Sequence, residues 1–503
     1  MKFLLLLLFC LPLSILATDY YVAVDGDDAA SGVAISSPWR TISFATSQVI
    51  AGDTVFIKAG DYGGENIVLT VNGSAGNPIT FEGYQTIPGD NPQNNYVVGT
   101  LLDPSIMPTL NGGDRTTGIA IELTDRSYIV FKNFQIHDYS AGIYAHAATH
   151  SVVDNITAIT LGDVNNNYSG VGIVFSSSTD SNTIKNCLVY NAAAEGISVA
   201  GNNNLIDNCK VYCDDNQTVH SSTDYYIVLA GNNNHVKNSY AQRIGNLEHG
   251  GHGIGFKDFA QDSLIEDSTS VNMAGSFYFR YSPVFNNTIR NCHAKDSDES
   301  LLMRDGAHHN TFENCTVDNA YYAIVFYDSM GEDDGAPNTA EANVIKNSLI
   351  TNTRQAVIAF HQYNRPSDVV NNRIENITID NALYLFHSGR VNINNSMTNS
   401  IVTNVANYSI GSVALDFSFD YSNFWTNGFT IPVGSGNLAV DPLFTQAGSH
   451  YISVNSPMKN AGNPSYIADA DDVDINGDKR IINSIIDMGV DEYNEFIMSD
   501  SFE

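Results

Sequence analysis

Positive charge is what this chain has least of. Its 503 residues hold 23 Lys and Arg against 55 Asp and Glu, a formal charge of −32. Such acidity argues against nucleic acid and anionic membranes as partners. It also makes any cluster of cations informative. CxxC pairs are missing, which argues against a zinc or redox site. Beyond residue 17 there are five cysteines, Cys187, Cys209, Cys213, Cys292 and Cys315. That number is odd, and a chain of this length needs no disulfide framework. His249 and His252 lie in a glycine-rich stretch with no third ligand at metal spacing. No run after residue 17 is apolar enough to span a bilayer.

The start reads as a secretory signal over residues 1–17, with Lys2 as the charged end, an apolar run over 3–16 and Ala17 before the cut. An exported protein, extracellular or periplasmic, is expected, acting as a monomer. Residues 18–115 predict a cap and the first coils, with a short helix within 39–46 and strands at 53–58, 67–69 and 79–84. From 116 to 430 a repeat takes over. Its clearest copy is Gly201-Asn-Asn-Asn-Leu-Ile-Asp-Asn-Cys209, and Asn-Cys or Asn-Ser pairs recur at 186/187, 208/209, 238/239, 291/292, 314/315 and 347/348. Short strands between Asn/Gly/Asp turns at this period predict an all-β chain of stacked parallel coils. Asn side chains then form ladders, and Cys or Ser fill the interior. Residues 431–503 predict a closing segment. Within it, Asp472-Val-Asp-Ile-Asn-Gly477 opens like a calcium loop, but Asn483 stands where an EF-hand needs Glu, so a turn is expected.

A second strand series precedes each turn, starting at Ile143, Ile173, Ile197, Ile227, Ile254, Phe277, Leu301, Ile324, Val357 and Leu383. The fourth place of each reads His146, Ser176, Ala200, Ala230, Lys257, Arg280, Arg304, Tyr327, Phe360 and Phe386. Three of the scarce cations therefore stack in one column, on coils 23 and 24 residues apart. Like charges across strands destabilise a sheet, unless an anion lies over them. Arginine grips a carboxylate with two parallel hydrogen bonds. Neutral lysine can take a proton, which arginine cannot readily do. Those are the parts for β-elimination from a uronic acid.

Gly255-Phe256-Lys257 resembles the strand that carries the catalytic lysine in pectate lyase-like enzymes. Lys257 with Arg280 one coil later resembles the chondroitinase B and alginate lyase family. The resemblance implies a right-handed parallel β-helix that is secreted and cleaves an acidic, uronate-containing polysaccharide. On that footing Lys257 is the base and Arg280 the acid or carboxylate neutraliser. His252, Arg304, Tyr278, Glu299 and Tyr327 bind substrate. Calcium is the cofactor it implies, with Asp215 and Asp224 as candidate ligands. Other readings stay open. Asp296, Asp298 and Glu299 suit a glycoside hydrolase, which needs two carboxylates across a sugar. Tyr278, Tyr281, Tyr321, Tyr322 and Tyr327 suit a non-catalytic glycan binder. Ion pairs of the three cations with Asp258, Asp296, Asp298 and Glu299 suit a merely solvated face.

Overall fold

Asparagine makes the corners of this molecule. The computed structural model describes residues 17–93, 95–163, 170–214, 223–245, 251–281, 283–327, 340–361, 369–446, 448–470, 472–482 and 485–494. The expected signal segment, except Ala17, falls outside them. Asn186, Asn208, Asn238, Asn291, Asn314 and Asn347 all have φ between 51° and 55°, a conformation that asparagine tolerates better than most residues. Each turns the chain from one short strand to the next. The Cys or Ser that follows points inward, and all five cysteines are buried and free. Four residues earlier, at the turn before the short strand, a second asparagine is buried. Asn287 donates to Asn310 (3.1 Å), Asn310 to Asn343 (3.2 Å), Asn343 to Asn372 (2.9 Å) and Asn372 to Asn395 (3.0 Å). A buried amide must be paired, and here each is paired by its copy one coil on.

Every pairing between strands among the described residues is parallel, and the chain is an all-β solenoid. The five-residue helix Ile42–Thr46, capped by the Thr41 hydroxyl, sends Ile42 and Ala45 into the core. It is shorter than the sequence suggests because Trp39 pairs with Val22 instead and is buried. At the other end Ile452, Met458, Met488 and Tyr493 pack on Ile401.

The strand column runs Ile143, Ile173, Ile197, Ile227, Ile254, Phe277, Leu301, Ile324 as expected. Then it departs. A bulge between Thr353 and Ala356 shifts the register, so Ile358 and Phe386 continue the column in place of Val357 and Leu383. Phe360 and Phe386, expected at the cation column, are core residues, and His361 stands there beside Tyr327.

A different face carries a charge pattern. Successive coils place Glu82, Lys132, Asp154, Lys185, Asp207, Lys237, Glu266, Arg290, Glu313, Lys346 and Glu375 in register, so the sign changes at every coil. Pairs close at 2.8 Å for Lys132–Glu82, 2.7 Å for Arg290–Glu266 and 3.4 Å for Lys346–Glu313.

Candidate functional site

The strands His252–Lys257, Gly275–Arg280, Glu299–Arg304 and Tyr322–Tyr327 stack side by side. In each, the second and third residues both face inward: Gly253 with Ile254, Ser276 with Phe277, Ser300 with Leu301, Ala323 with Ile324. Two consecutive inward residues bend a strand, since regular pleating alternates them. The second residue is small in all four because it sits inside that bend. Gly253 shows how tight it is, since a Cβ there would lie 2.2 Å from the Ser270 hydroxyl and 2.5 Å from the Ser276 carbonyl. Outward side chains on either side of the bend therefore converge. His252 and Arg280, at opposite ends of neighbouring strands, meet at 3.0 Å. Glu299 and His361, two coils apart, approach to 4.0 Å. The face is a trough.

One wall carries the three cations. Lys257 is directly opposite Arg280, and the Phe279–Met303 register puts Arg304 next in line. Lys257 Nζ lies 4.4 Å above the Tyr225 ring and 3.6 Å from Asp258. Arg280 is buried; its Nη2 donates to the Tyr281 hydroxyl at 2.5 Å, and its guanidinium stacks 4.4 Å from that ring. Arg304 Nε is 3.0 Å from the Asp305 carboxylate. The opposite wall is Tyr225, His252, Gly275, Glu299 and Tyr322. Gly275 leaves a notch there, where a Cβ would come 3.3 Å from the His252 ring. The floor includes Tyr278, Leu302 and Val325, an apolar cluster separate from the core. Tyr278 lies fully buried against Tyr225 and His252, its hydroxyl without a hydrogen-bond partner among the described residues. Its ring lies over Gly255, where a Cβ would sit 2.6 Å from it.

Charge in the trough follows from this packing. Burial pushes the His252 imidazole below its ordinary range, and the charges of Arg280 and Arg304 push the same way against a hydrogen bond donated to Asp224. Burial raises the Glu299 carboxyl to about 7; Asp298 adds to the rise and Arg304 opposes it. His361 falls to about 4 through burial beside His387.

Of the residues expected at a site, Lys257, Arg280, Arg304, His252, Tyr278 and Glu299 thus share one trough. Tyr327 follows Arg304 in register, its side chain outside the described part. Asp215 lies outside the described residues. Asp224 touches His252 at 3.4 Å. Among the described residues no three His, Cys, Asp or Glu side chains gather closely enough to hold a metal ion. Asp296 leaves the group altogether, bound to Asn319 at a corner, and Asp298 turns to Arg354 at 3.7 Å. Tyr225, His361 and His387 were not legible as site residues. Tyr225 lies two places before Ile227, on a coil whose fourth place is Ala230 rather than a cation, and the bulge hid the two histidines.

Residues 111–223 match the family described as the right-handed β-helix region. The chain is 31% identical over 149 residues to the pectate lyase PEL9 of Emericella nidulans, a stretch covering 29% of this chain and 34% of that protein. The chain therefore spans about a third of the length of the curated relative it matches. It is similar in fold to the crystal structure of pectate lyase Pel9A, at 15% identity and a TM-score of 0.38 over 96% of this chain and 98% of the other. The alginate lyase of Paenibacillus sp. gives 13% and 0.38 over 74% and 95%. The catalytic domain of an α-1,3-glucanase in complex with nigerose gives 13% and 0.47 over 73% and 63%. No helix among the described residues is long and apolar enough to cross a membrane.

Proposed function

We propose that the chain is a polysaccharide lyase that cleaves a uronate-containing glycan by β-elimination in this trough. The observation that carries the reading is the contrast between two faces. On one, charge alternates in sign over eleven coils. On the other, three cations of a cation-poor chain stand on consecutive coils. Strands stack about 4.8 Å apart, so these like charges repel one another across coils, and an anion laid across them would relieve what the neighbouring Asp258 and Asp305 do not.

Arg280 and Arg304 bind the substrate carboxylate and draw charge from the neighbouring carbon, which makes its hydrogen acidic. Lys257 Nζ, in its neutral form, accepts that hydrogen. The freed electron pair becomes a carbon–carbon double bond as the glycosidic carbon–oxygen bond breaks. The departing oxygen regains a proton from Tyr281, Arg280 or water. His252, held between Arg280 and Asp224, keeps the Arg280 fork in place.

The test is the ultraviolet band of the unsaturated uronate on alginate, pectate, chondroitin and ulvan, with and without calcium. A signal that K257A lowers by about 10²–10⁴ supports the lyase, the range a positioned base supplies. New reducing ends without that band sink it in favour of hydrolysis. That second reading has one observation behind it, the Glu299 carboxyl at about 7, where a general acid works best.

A further inference from the structure

The trough does not end at Arg304. Past it the same face carries Tyr322, His361 and His387, with Glu299 across the bend from Arg304 on the same coil, and no Lys or Arg column continues among the described residues. Tyr322 meets the His361 ring edge-on at 4.6 Å and lies 5.7 Å from His387; the two imidazoles are 5.0 Å apart. Glu299 faces His361 at 4.0 Å across the bend. The neighbouring arginines are engaged elsewhere. Arg354 bonds the Ser297 carbonyl and approaches Asp298, and Arg390 is buried. His387 Nδ1 is buried without a partner among the described residues. The register places Gly389 beside His361, and a Cβ at Gly389 would stand in ordinary contact with that nitrogen, 3.7 Å away.

This end differs chemically from the other. Its rings and single carboxyl offer hydrogen bonds and a stacking edge, with no cation to receive a carboxylate. In its ionised form Glu299 would repel a second uronate there, and a group that repels the wrong ligand sets specificity as surely as one that attracts the right one. Arg304 and His361 lie two coils apart, roughly 10 Å, about the reach of the next sugar or two along a chain.

We infer that the Glu299–Tyr322–His361–His387 end is a subsite for an uncharged sugar, so that the glycan taken here carries a neutral sugar next to its uronate. This rests on the reading of the three cations as a uronate site. It excludes polymers made of uronate alone as the preferred ligand.

The test is calorimetric titration of the full chain carrying K257M, so that neither ligand is cleaved. Two oligosaccharides of equal length are compared, galacturonate only and galacturonate alternating with rhamnose. The alternating one is expected to bind roughly tenfold or more tightly. H361A is expected to bring that ratio toward one, with H361N as a second variant and the thermal midpoint of each as a check on folding. At a pH above about 7, where the Glu299 carboxyl is ionised, E299Q is expected to strengthen binding of the all-uronate ligand by removing the repulsion. Equal or tighter binding of the all-uronate ligand, no binding of either, or a ratio unmoved by H361A and E299Q overturns the inference. Elimination by the unsubstituted chain is read separately. Its absence with the preference intact sinks the lyase alone; elimination from all-uronate polymer without a preference sinks the subsite alone.

Discussion

Glu299 and Gly255 show how single residues shape the trough. The Glu299 carboxyl is raised from 4.5 to about 7, chiefly by burial. A group raised on folding adds stability below its unfolded value and loses it as pH climbs through the folded one. Stability should therefore fall between about pH 4.5 and just above 7. Urea unfolding of E299Q against the parent across that window should show a flatter curve for the variant. Parallel curves would mean that Glu299 titrates as it does in water. Gly255 acts by absence, since its bare backbone seats the Tyr278 ring. Alanine there must push the ring away, at about 1–3 kcal/mol for overpacking. Denaturant midpoints measure that cost. The rate of elimination should drop as well, because Tyr278 supports His252.

At the scale of the strand, alternating charge is a pairing device, and it predicts a specific weakness. K237E would place three acids in a row, since residue 237 stands between Asp207 and Glu266. Each like pair costs up to about 1 kcal/mol. Half-exposed charges are screened by salt, so the deficit should shrink in 1 M salt, compared by chemical unfolding. The coils themselves were legible in the sequence because their corners need one residue type, asparagine with positive φ, at a steady interval. The cation column was legible for the same reason. Two things were not. The bulge after Thr353 adds a residue inside a strand with no turn residue to announce it, and it moved His361 and His387 out of view. The bend at Gly253, Ser276, Ser300 and Ala323 reads in the sequence only as small residues, which also fit a flat strand. Without the bend, Glu299 and His361 seem unrelated. The ladder of alternating charge was present in the sequence too, but it sits on the short strand next to the asparagine turn, away from the apolar series that reveals the period.

For the molecule as a whole, the last fifty residues depend on pH in an unusual direction. Burial lifts Asp491 to about 7 and Glu492 to about 8, and raises Asp474 and Asp487, around a buried Arg480. Raised groups stabilise below the ordinary carboxyl range and lose that contribution as pH passes 7 to 8. Hydrogen exchange in the segment around Ile452, Met458 and Met488 should quicken between pH 6 and 9 by more than the intrinsic base-catalysed rise, while the asparagine ladder stays protected. Equal protection at both values after that correction would show the segment to be insensitive. The alternating column also bears on how such a molecule can change its length over generations. A duplication or loss of a single coil in that span would bring two like charges together on that face; a duplication of two would not. Descendants of this gene should therefore differ by even numbers of coils there, and a lineage that breaks the parity should carry a reversed charge at the seam.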